Sequence, residues 1–362
     1  MRISRLEVSG FRNIASQVVE PGLSLNMVIG ANGQGKTNLV EAIVFTSWLK
    51  SFRTNRTNDL IAIGGDAARL GLAAEARGSK HDIEVQIGPG WRRAAVDGKT
   101  VRSARDTLET LTVVCLGPDD PLCLQGGPEG RRTLVDRLAV LLDPVQAAHL
   151  GRFGQLLRER NTLIRLPPDR QDKTHLSACE EALAQAAARV LEGRLKALAA
   201  IRARVQDLLT LLAGTEVTVS IRYASAWATR PDPAQGLLEM LRESRPRDAL
   251  LGYTTVGPQV DDIVVEMAGL LTRGHASRGQ NKLLMLAWKA AEAQAVRDSL
   301  GEWPVLVLDD ALSDLDPMRR AAVLAFLGAY QGQSFVTGTM ALSEVPQGAT
   351  VFLASNGTFE RL

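Results

Sequence analysis

The residues with the clearest chemistry lie at positions 30–37, Gly-Ala-Asn-Gly-Gln-Gly-Lys-Thr, and match the pattern G-x-x-x-x-G-K-[ST] at every fixed position. An apolar run, Leu23–Ile29, precedes them, and apolar residues at helical spacing follow from Asn38 to Leu49. In this context backbone N–H groups and a helix N-terminus attract phosphate, Lys36 would reach the β- and γ-phosphates, and Thr37 would offer its hydroxyl to Mg²⁺. The predicted triphosphate site comprises Gly30, Ala31, Asn32, Gly33, Gln34, Gly35, Lys36 and Thr37.

A second candidate is the apolar run Leu306–Leu308, which ends in the two carboxylates Asp309 and Asp310. A strand that ends in acids, next to a Gly-Lys-Thr loop, is where a Mg²⁺-positioning carboxylate belongs. Asp309 would orient the metal or its water, and Asp310 would face the γ-phosphate and polarise the attacking water. The alternative is a helix N-cap with a neighbouring surface acid. The phosphate-binding loop in the same chain favours the catalytic interpretation.

A third candidate is the segment Ser277–Gln280, Ser-Arg-Gly-Gln, which stands before an apolar helix predicted from Asn281 to Ala295. Ser277 is a natural N-cap, and capping alone would explain it. The other interpretation is a second anion site, because the N–H groups of a helix N-terminus attract negative charge. The residues alone leave both open.

The elements that must position these residues divide the chain into three. Residues 1–116 are β-rich, with hairpins and one long helix, and alternation of strands and helices returns after Tyr253. Between them, apolar residues repeat every three or four positions from Leu176 to Leu212, which predicts a long helix packed on a partner at Arg131–Arg165. The connecting loop would be residues 166–170, and Val217–Tyr223 has strand character without an evident place.

The predicted fold is therefore an α/β P-loop ATPase head, a mixed sheet with an antiparallel N-terminal part, interrupted by an inserted α-helical arm. The predicted segments are 1–116 for the first part of the head, 117–250 for the arm and 251–362 for the rest of the head.

Composition limits the classes of function. Of the 362 residues, 45% are hydrophobic and 23% are charged, as in folded globular proteins. We expect a cytoplasmic protein without a membrane partner, since no apolar run has the length of a membrane span and the N-terminus lacks signal-peptide features. Cys115, Cys123 and Cys179 form no C-x-x-C pair, which fits a reducing compartment. The net charge of +2 requires that any nucleic-acid binding come from a local patch.

The order of these parts resembles ABC-type ATPase heads: phosphate loop, helical insertion, Ser-x-Gly-Gln, Leu-Asp-Asp and then Ser313-Asp-Leu-Asp316. The closer resemblance is to the RecF family of bacterial recombination proteins, and it spans essentially the whole chain. The motifs that carry it are Gly10-Phe-Arg-Asn13, Asn32-Gly-Gln-Gly-Lys-Thr-Asn-Leu39, Glu41-Ala42, Lys50-Ser-Phe-Arg-Thr54, Gly117-Pro-Asp-Asp-Pro-Leu122, Gly127-Pro-Glu-Gly-Arg-Arg132, Ser277-Arg-Gly-Gln280 and Leu308-Asp-Asp-Ala-Leu-Ser-Asp-Leu-Asp316.

The resemblance implies a slow, DNA-stimulated ATPase of recombinational repair that uses ATP and Mg²⁺, works on the nucleoid with RecO and RecR, and dimerises around ATP as a DNA clamp. It also implies that a signature segment contacts ATP on the other subunit, and that Ser313 and Asp316 belong to the D-loop of such heads. The signature residues are Ser277, Arg278, Gly279 and Gln280.

Two departures from the family pattern are visible. Gln259 and Val260 stand where the family usually has His-Arg, which puts a DNA or interface contact in doubt. The switch histidine of the superfamily is missing, and Thr337 or Thr339 occupies its place. The segment Lys50–Thr54 would lie near the adenine or near DNA, and its pattern does not choose between them.

Arginines concentrate on the first insertion helix, and four of them are candidates for DNA contacts: Arg131, Arg132, Arg152 and Arg158. Long cations contact phosphates without reading sequence, which predicts binding to duplex or gapped DNA. With 4% aromatic residues, stacking on single strands is less favoured. The alternative is a solvated helix face balanced by nearby acids.

Three other functions compete with this prediction. Another SMC-like ATPase, of chromosome maintenance or phage defence, would share the nucleotide site but not RecO and RecR. A transporter's nucleotide-binding subunit fits poorly, because the N-terminal hairpins and the long insertion are foreign to it. A scaffold that binds ATP without hydrolysing it would be insensitive to replacement of Asp310.

Overall fold

A computed structural model describes residues 1–167 and 169–362 of the chain. These residues form two compact units. The head unit comprises Met1–Pro121, Ala203–Val217 and Ser277–Leu362, and the arm unit comprises Leu122–Arg202 and Thr218–Ala276. Among the described residues, no helix is both long enough and apolar enough to span a membrane.

The strands are β1 (Arg2–Phe11), β2 (Ile14–Val19), β3 (Leu25–Ile29), β4 (Ala68–Ala76), β5 (Ser79–Gly88), β6 (Trp91–Val96), β7 (Lys99–Val101), β8 (Val113–Leu116), β9 (Val219–Ala224), β10 (Asp262–Met267), β11 (Leu270–Leu271), β12 (Val305–Leu308), β13 (Ser334–Gly338), β14 (Thr350–Ser355) and β15 (Thr358–Arg361). The helices are α1 (Lys36–Trp48), α2 (Ala104–Thr110), α3 (Asp120–Gln125), α4 (Pro128–Leu142), α5 (Gln146–Ile164), α6 (Lys173–Ala213), α7 (Pro233–Leu251), α8 (Thr272–His275), α9 (Arg278–Leu300) and α10 (Pro317–Ala329). Two short 3₁₀ segments, Thr57–Leu60 and Leu342–Glu344, complete the described elements.

The first sheet of the head unit is antiparallel, with strand order β2-β1-β4-β5-β6-β7. Ile3, Leu6 and Val8 are buried on one face of β1, whose register shifts between Ile3 and Arg5, while the other face meets solvent. The turn between β6 and β7 has positive φ at both Asp97 and Gly98, the conformation that a two-residue hairpin needs. The hairpins predicted for the N-terminal third are present, in a sheet of their own.

The second sheet of the head unit has the order β15-β14-β3-β13-β12-β8, and the strands from β14 to β8 pair in parallel. Its central strands are buried along their whole length, as expected where helices cover both faces of a parallel sheet. The carboxyl ends of β3, β12 and β13 therefore lie side by side. Ligands of open α/β sheets bind at this edge, and the predicted ATPase-head fold is confirmed.

The arm unit holds α4, α5, α7 and the first 30 residues of the 41-residue helix α6, together with a small antiparallel sheet of order β11-β10-β9. The long helix was predicted from its repeat. Its partner was predicted as one helix over Arg131–Arg165, but the chain breaks between α4 and α5. Asp143 precedes Pro144 and has extended backbone angles, because the proline ring disfavours helical angles in the residue before it.

The boundaries of the two units differ from the predicted segments. Residues 251–276 stay with the arm because β10 pairs along its length with β9, the strand whose place the sequence did not reveal. The end of α6 joins the head unit, where Arg204 contacts Asp298. Pro168, in the loop predicted at residues 166–170, lies outside the described residues.

Candidate nucleotide-binding site

The predicted phosphate loop joins the end of β3 to the first residue of α1. Gly30 and Gly35 have φ values of 150° and 100°, and a Cβ at either position would stand within 2.6 Å of Ala354 O or 2.8 Å of Asn13 Oδ1. Only glycine fits such positions without strain. Gln34 fastens the loop to the β14–β15 hairpin, since its Oε1 accepts from Asn356 N at 2.7 Å. The loop is therefore held in a fixed shape with α1 directly behind it.

Lys36 is the only cation of the loop and is largely buried. Its Nζ donates to Gly30 O and Ala31 O, both at 2.7 Å, so the ammonium group lies across the mouth of the loop. Burial lowers the pKa of Lys36, while the carboxylates of Asp310 and Asp309 act in the opposite direction. An anionic ligand would relieve this desolvation, because it would supply the counter-charge that the two carbonyl groups supply only in part.

Asp309, at the end of β12, is 2% exposed and lies opposite Thr37. Its Oδ1 accepts from Thr37 Oγ1 at 3.0 Å and from Thr337 Oγ1 at 2.6 Å. Its Oδ2 is buried and has no hydrogen-bond partner within residues 1–167 and 169–362. Burial raises the pKa of Asp309, against the effect of the two hydroxyl groups.

This donor set fits Mg²⁺. A hard cation prefers carboxylate and hydroxyl oxygens, and Mg²⁺ is commonly held by one or two protein oxygens together with substrate phosphates. Asp309 provides a buried carboxylate oxygen that no described residue hydrogen-bonds, and Thr37 provides an adjacent hydroxyl. A metal there would also compensate for the desolvation that raises the pKa of Asp309.

Asp310 follows in a left-handed backbone conformation, with φ of 51°. Its N–H donates to Thr337 Oγ1 at 2.8 Å, and its Oδ2 accepts from Ser313 Oγ at 2.7 Å. The side chain is exposed and lines the same cavity as Lys36 and Thr37. A carboxylate in this position can accept a proton from a water molecule that enters the cavity.

The cavity over the loop has a volume of about 340 Å³. A second cavity of about 530 Å³ shares Asn38 and Arg53 with it and is otherwise lined by Arg12, Asn13, Ala15, Asp59, Ile61, Ala62 and Ile63. Both volumes are in the range of small-molecule sites. Of the segment Lys50–Thr54, whose location the sequence left open, Arg53 therefore faces both cavities.

A buried carboxylate on α1 fixes the arginines of these cavities. Glu41 is 0% exposed and accepts from Arg12 Nη2 at 2.8 Å, Arg12 Nε at 3.0 Å and Arg53 Nη1 at 3.2 Å. Ser51 Oγ also donates to Glu41 Oε1. The sequence alone assigned no role to Glu41 or to Arg12, although both lie in family motifs. The ion pairs could not be predicted because the partners of Glu41 lie 29 and 12 positions away along the chain.

The predicted signature segment begins α9. Ser277 Oγ accepts from Gln280 N at 3.2 Å, and Gln280 Oε1 accepts from Ser277 N at 2.8 Å, which is a complete capping box. The capping interpretation is thus confirmed. Ser277, Arg278 and Gln280 are exposed and Gly279 is half-buried. A hydroxyl that accepts a hydrogen bond keeps its own proton for donation, so this N-terminus can still bind an anion.

The two predicted D-loop residues follow Asp310 on the way to α10. Ser313 hydrogen-bonds to the Asp310 carboxylate and contacts Lys282 Nζ. Asp316 caps α10, since its Oδ1 accepts from Arg319 N at 2.9 Å. Ser313 is therefore connected to the candidate catalytic acid, whereas Asp316 has a local structural contact.

The four arginines predicted to contact DNA fall into two pairs within the arm unit. Arg131 is 5% exposed, and its Nε and Nη2 form a two-pronged ion pair with Asp262 at 2.8 and 2.9 Å. Arg132 is half-buried and donates to Asp261 O at 2.8 Å. These contacts stabilise the packing of α4 on β10 and are at odds with the predicted DNA role of this pair. Arg152 and Arg158 are exposed on α5.

The two positions that depart from the family pattern differ in exposure. Gln259 Nε2 donates to Val256 O at 2.8 Å and to Thr254 O at 3.2 Å, so its amide closes the loop before β10. Val260 is 48% exposed, and its side chain is apolar. Thr337 is the residue at the switch-histidine position that contacts both acids, whereas Thr339 is exposed beyond the end of β13.

Comparison with known proteins agrees with this geometry. Residues 2–349 match the family model of the RecF/RecN/SMC N terminal domain. The chain is 35% identical over 348 residues to the DNA replication and repair protein RecF of Myxococcus xanthus (strain DK1622), covering 94% of this chain and 91% of that protein. It is 34% identical to the RecF of Anaeromyxobacter sp. (strain K), covering 94% of this chain and 92% of that protein.

Solved structures give the same result. The recombination mediator protein RecF-ATPrS in the RecFOR pathway has a TM-score of 0.90 and 26% identity, and covers 100% of this chain and 98% of its own. The Smc head domain from Pyrococcus furiosus has a TM-score of 0.57 and 16% identity, with coverage of 99% and 95%, which is a likeness of fold alone. The similarity to RecF extends over nearly all of both chains, and this chain belongs to the RecF family of ABC-type, SMC-like ATPases.

Proposed function

We propose that this chain is an ATP-dependent DNA-binding protein of recombinational repair and replication-gap maintenance, and that it dimerises around ATP as a clamp on DNA. The observation that carries the proposal is the buried Oδ2 of Asp309, beside Thr37 and Lys36, which has no hydrogen-bond partner in the part of the chain that the structure describes. A desolvated carboxylate oxygen without a partner is costly unless a ligand completes it. A triphosphate with Mg²⁺ is the ligand that this combination of groups fits.

The two adjoining cavities suggest how ATP would lie. The triphosphate would occupy the smaller cavity, on the loop N–H groups and Lys36, and the base and ribose would occupy the larger one between Arg12, Arg53 and the isoleucines. Mg²⁺ held by Thr37 and Asp309 would neutralise charge on the β- and γ-phosphates. Ile63 is fully exposed in this structure and would gain cover from a bound base.

The reaction would be attack of water on the γ-phosphate. The water oxygen bonds to phosphorus, the bond to the β–γ bridging oxygen breaks, and ADP and phosphate leave. Asp310 would orient the water and take its proton, since it is the exposed carboxylate of the cavity. Because Asp310 already accepts a hydrogen bond from Ser313, it is a weaker base for the attacking water, and we expect slow turnover. We also propose that DNA stimulates this turnover.

The exposed signature segment supports the proposed dimer. The N-terminus of α9 presents N–H groups and the Ser277 hydroxyl to solvent, and a 23-residue helix behind them supplies positive potential. A second copy of the chain would place this end on the γ-phosphate held by the first, with Ser313 and Asp316 at the same seam. ATP would then favour the closed dimer, and hydrolysis would loosen it.

The cellular role rests on the family. The related structure is described as a recombination mediator in the RecFOR pathway, and we propose RecR and RecO as partners, duplex or gapped DNA as ligand, and the cytoplasmic nucleoid as the place of action. The alternative is an SMC-like ATPase of chromosome maintenance or phage defence, which the fold shared with Smc heads leaves open. Co-sedimentation with purified RecR distinguishes the two, since only the first requires a complex.

Sedimentation velocity tests the clamp. We expect monomers without nucleotide, ATP-dependent dimers for the unmodified chain, and longer-lived dimers for Asp310→Asn, whose turnover should fall by about 100-fold or more. Ser277→Arg should bind ATP but remain monomeric, because a bulky cation would occupy the γ-phosphate position. Monomers of the unmodified chain at saturating ATP and in the presence of duplex DNA would refute the proposal.

A further inference from the structure

One hydroxyl group lies between the two acids of the nucleotide site. Thr337, near the end of β13, is 1% exposed. Its Oγ1 is 2.6 Å from Asp309 Oδ1 and 2.8 Å from Asp310 N. β12 and β13 are parallel neighbours that pair Leu308 with Val336, so the residues after each of these lie opposite one another. The contact is therefore built into the register of the sheet.

The directions of these two hydrogen bonds are fixed by chemistry. A backbone N–H can only donate, so Thr337 Oγ1 accepts from Asp310 and gives its single proton to Asp309 Oδ1. With Thr37 as second donor, Oδ1 of Asp309 is occupied and Oδ2 is the oxygen left free. Thr337 is thus one of the two hydroxyl groups that set the orientation of the Asp309 carboxylate.

Thr337 also acts on the backbone of Asp310. A φ of 51° is unfavourable for a residue with a side chain and persists only when surrounding contacts hold it. The bond from Asp310 N to Thr337 Oγ1 is such a contact, and Asp310 lines the cavity in this conformation. One side chain therefore contacts both acids, Asp309 at its carboxylate and Asp310 at its backbone.

We propose that Thr337 is a positioning residue for ATP hydrolysis, which directs the free oxygen of Asp309 toward the metal and holds Asp310 in place for the attacking water. The inference rests on the proposed function. A Thr37 hydroxyl that coordinates a metal through its oxygen keeps its proton, so Thr37 and Thr337 would both still donate to Oδ1 of Asp309 and leave Oδ2 for the metal. Because Thr337 contacts the two acids, we expect it to affect metal binding and turnover more than metal-free nucleotide affinity.

Three variants separate the hydroxyl from the space that it fills. Thr337→Val keeps the shape and removes the hydroxyl, Thr337→Ser keeps the hydroxyl, and Thr339→Val makes the same change at an exposed position just beyond the strand. We expect kcat of Thr337→Val to fall about 10- to 100-fold, which is typical of residues that orient a metal ligand. Thr337→Ser and Thr339→Val should retain nearly unmodified rates. Thr337→Ala replaces the valine variant should the latter not fold.

A second readout does not depend on turnover. Mn²⁺ binding, followed by electron paramagnetic resonance with a non-hydrolysable ATP analogue, should weaken about tenfold or more in Thr337→Val. Binding of the same analogue without divalent metal should be unchanged. The inference would be overturned if Thr337→Val had the same kcat and the same Mn²⁺ affinity as the unmodified chain. A Thr337→Ser variant as slow as Thr337→Val would also overturn it. An unmodified chain that neither binds nor hydrolyses ATP would instead overturn the proposed function.

Discussion

One buried carboxylate of the head unit, Asp309, differs from two of the arm unit, Glu180 and Asp248, in how completely it is paired. In the arm unit, Glu180 and Asp248 are 0% exposed, and Arg160 bonds to both, at 3.1 and 2.7 Å. In the head unit, Asp309 is 2% exposed, and its Oδ2 has no hydrogen-bond partner among the described residues. Burial raises the pKa of Asp248, but hydrogen bonds from Thr255, Arg160 and Ser244 outweigh it and lower the pKa, whereas burial raises the pKa of Asp309.

This difference separates structure from function. A buried charge whose every oxygen is bonded fixes the elements around it, and removing its partner is strongly destabilising. A buried charge with a free oxygen costs stability in the unliganded protein and is retained where a ligand completes it. In the arm unit, Glu180 and Asp248 hold helices together through Arg160. In the head unit, Asp309 has an oxygen available for a ligand of the nucleotide site.

The largest effect should come from breaking the paired network. Arg160→Leu leaves Asp248 and Glu180 buried with fewer partners, and we expect the free energy of unfolding to fall by about 3–5 kcal/mol. Arg158→Leu, two positions away on the exposed face of α5, should change it by less than about 0.5 kcal/mol. Urea denaturation followed by circular dichroism measures both. A loss below about 1 kcal/mol for Arg160→Leu would mean that the network does not stabilise the arm.

The second effect should appear in binding rather than in stability. Lys36→Ala removes the cation aimed at the phosphates, and ATP affinity should fall by about 1.5–3 kcal/mol, or roughly 10- to 150-fold in Kd. Lys80→Ala, an exposed lysine on β5 of the same unit, is the matched control. Isothermal titration calorimetry gives the affinities, and thermal unfolding should show little change in either variant. Tight ATP binding by Lys36→Ala would contradict the site.

The parts of the site that sequence could predict are those formed by neighbours in the chain. The loop at residues 30–37, the Asp309-Asp310 strand end and the Ser277–Gln280 cap each lie within one motif, and the structure has them on the expected elements. The same locality explains the long helix α6, whose repeat is continuous along the chain.

The parts that could not be predicted depend on partners far away in sequence. Arg131 had the appearance of a free cation because Asp262, its ion-pair partner, lies 131 positions later. Thr337 contacts Asp309 only because β12 pairs with β13, and the sequence of neither strand predicts that pairing or its register. The end of α6 joins the head unit through contacts of the same long-range kind, as Arg204 with Asp298 shows.

The pH dependence of stability should also differ between Asp309 and Asp248. Because the folded-state pKa of Asp309 is raised, its contribution to stability is complete below the ordinary value of 3.8 and is lost as pH rises through the raised value. Asp309→Asn should therefore melt at a higher temperature than the unmodified chain at neutral pH without nucleotide. The difference should shrink as the pH approaches 3.8.

Asp248 supplies the opposite control for that experiment. Its lowered pKa makes its contribution present above 3.8 and lost as pH falls through the folded-state value, so Asp248→Asn should melt lower than the unmodified chain at neutral pH. Differential scanning fluorimetry across this pH range measures both variants. The contrast between the two units fails if Asp309→Asn and Asp248→Asn shift the melting temperature in the same direction at neutral pH.

The smallest effect concerns the two kinds of arginine within the arm unit. If Arg152 and Arg158, exposed on α5, contact DNA phosphates, then each releases about one counterion, and the double variant to Gln should flatten the slope of log K against log salt by about two. Arg189→Gln, an exposed arginine on α6, should leave the slope unchanged. Fluorescence anisotropy of labelled duplex between about 50 and 200 mM salt resolves this difference. An unchanged slope in the double variant would move the DNA-binding surface away from this face of α5, whereas the buried Arg131 should affect the stability of the arm and not the salt dependence.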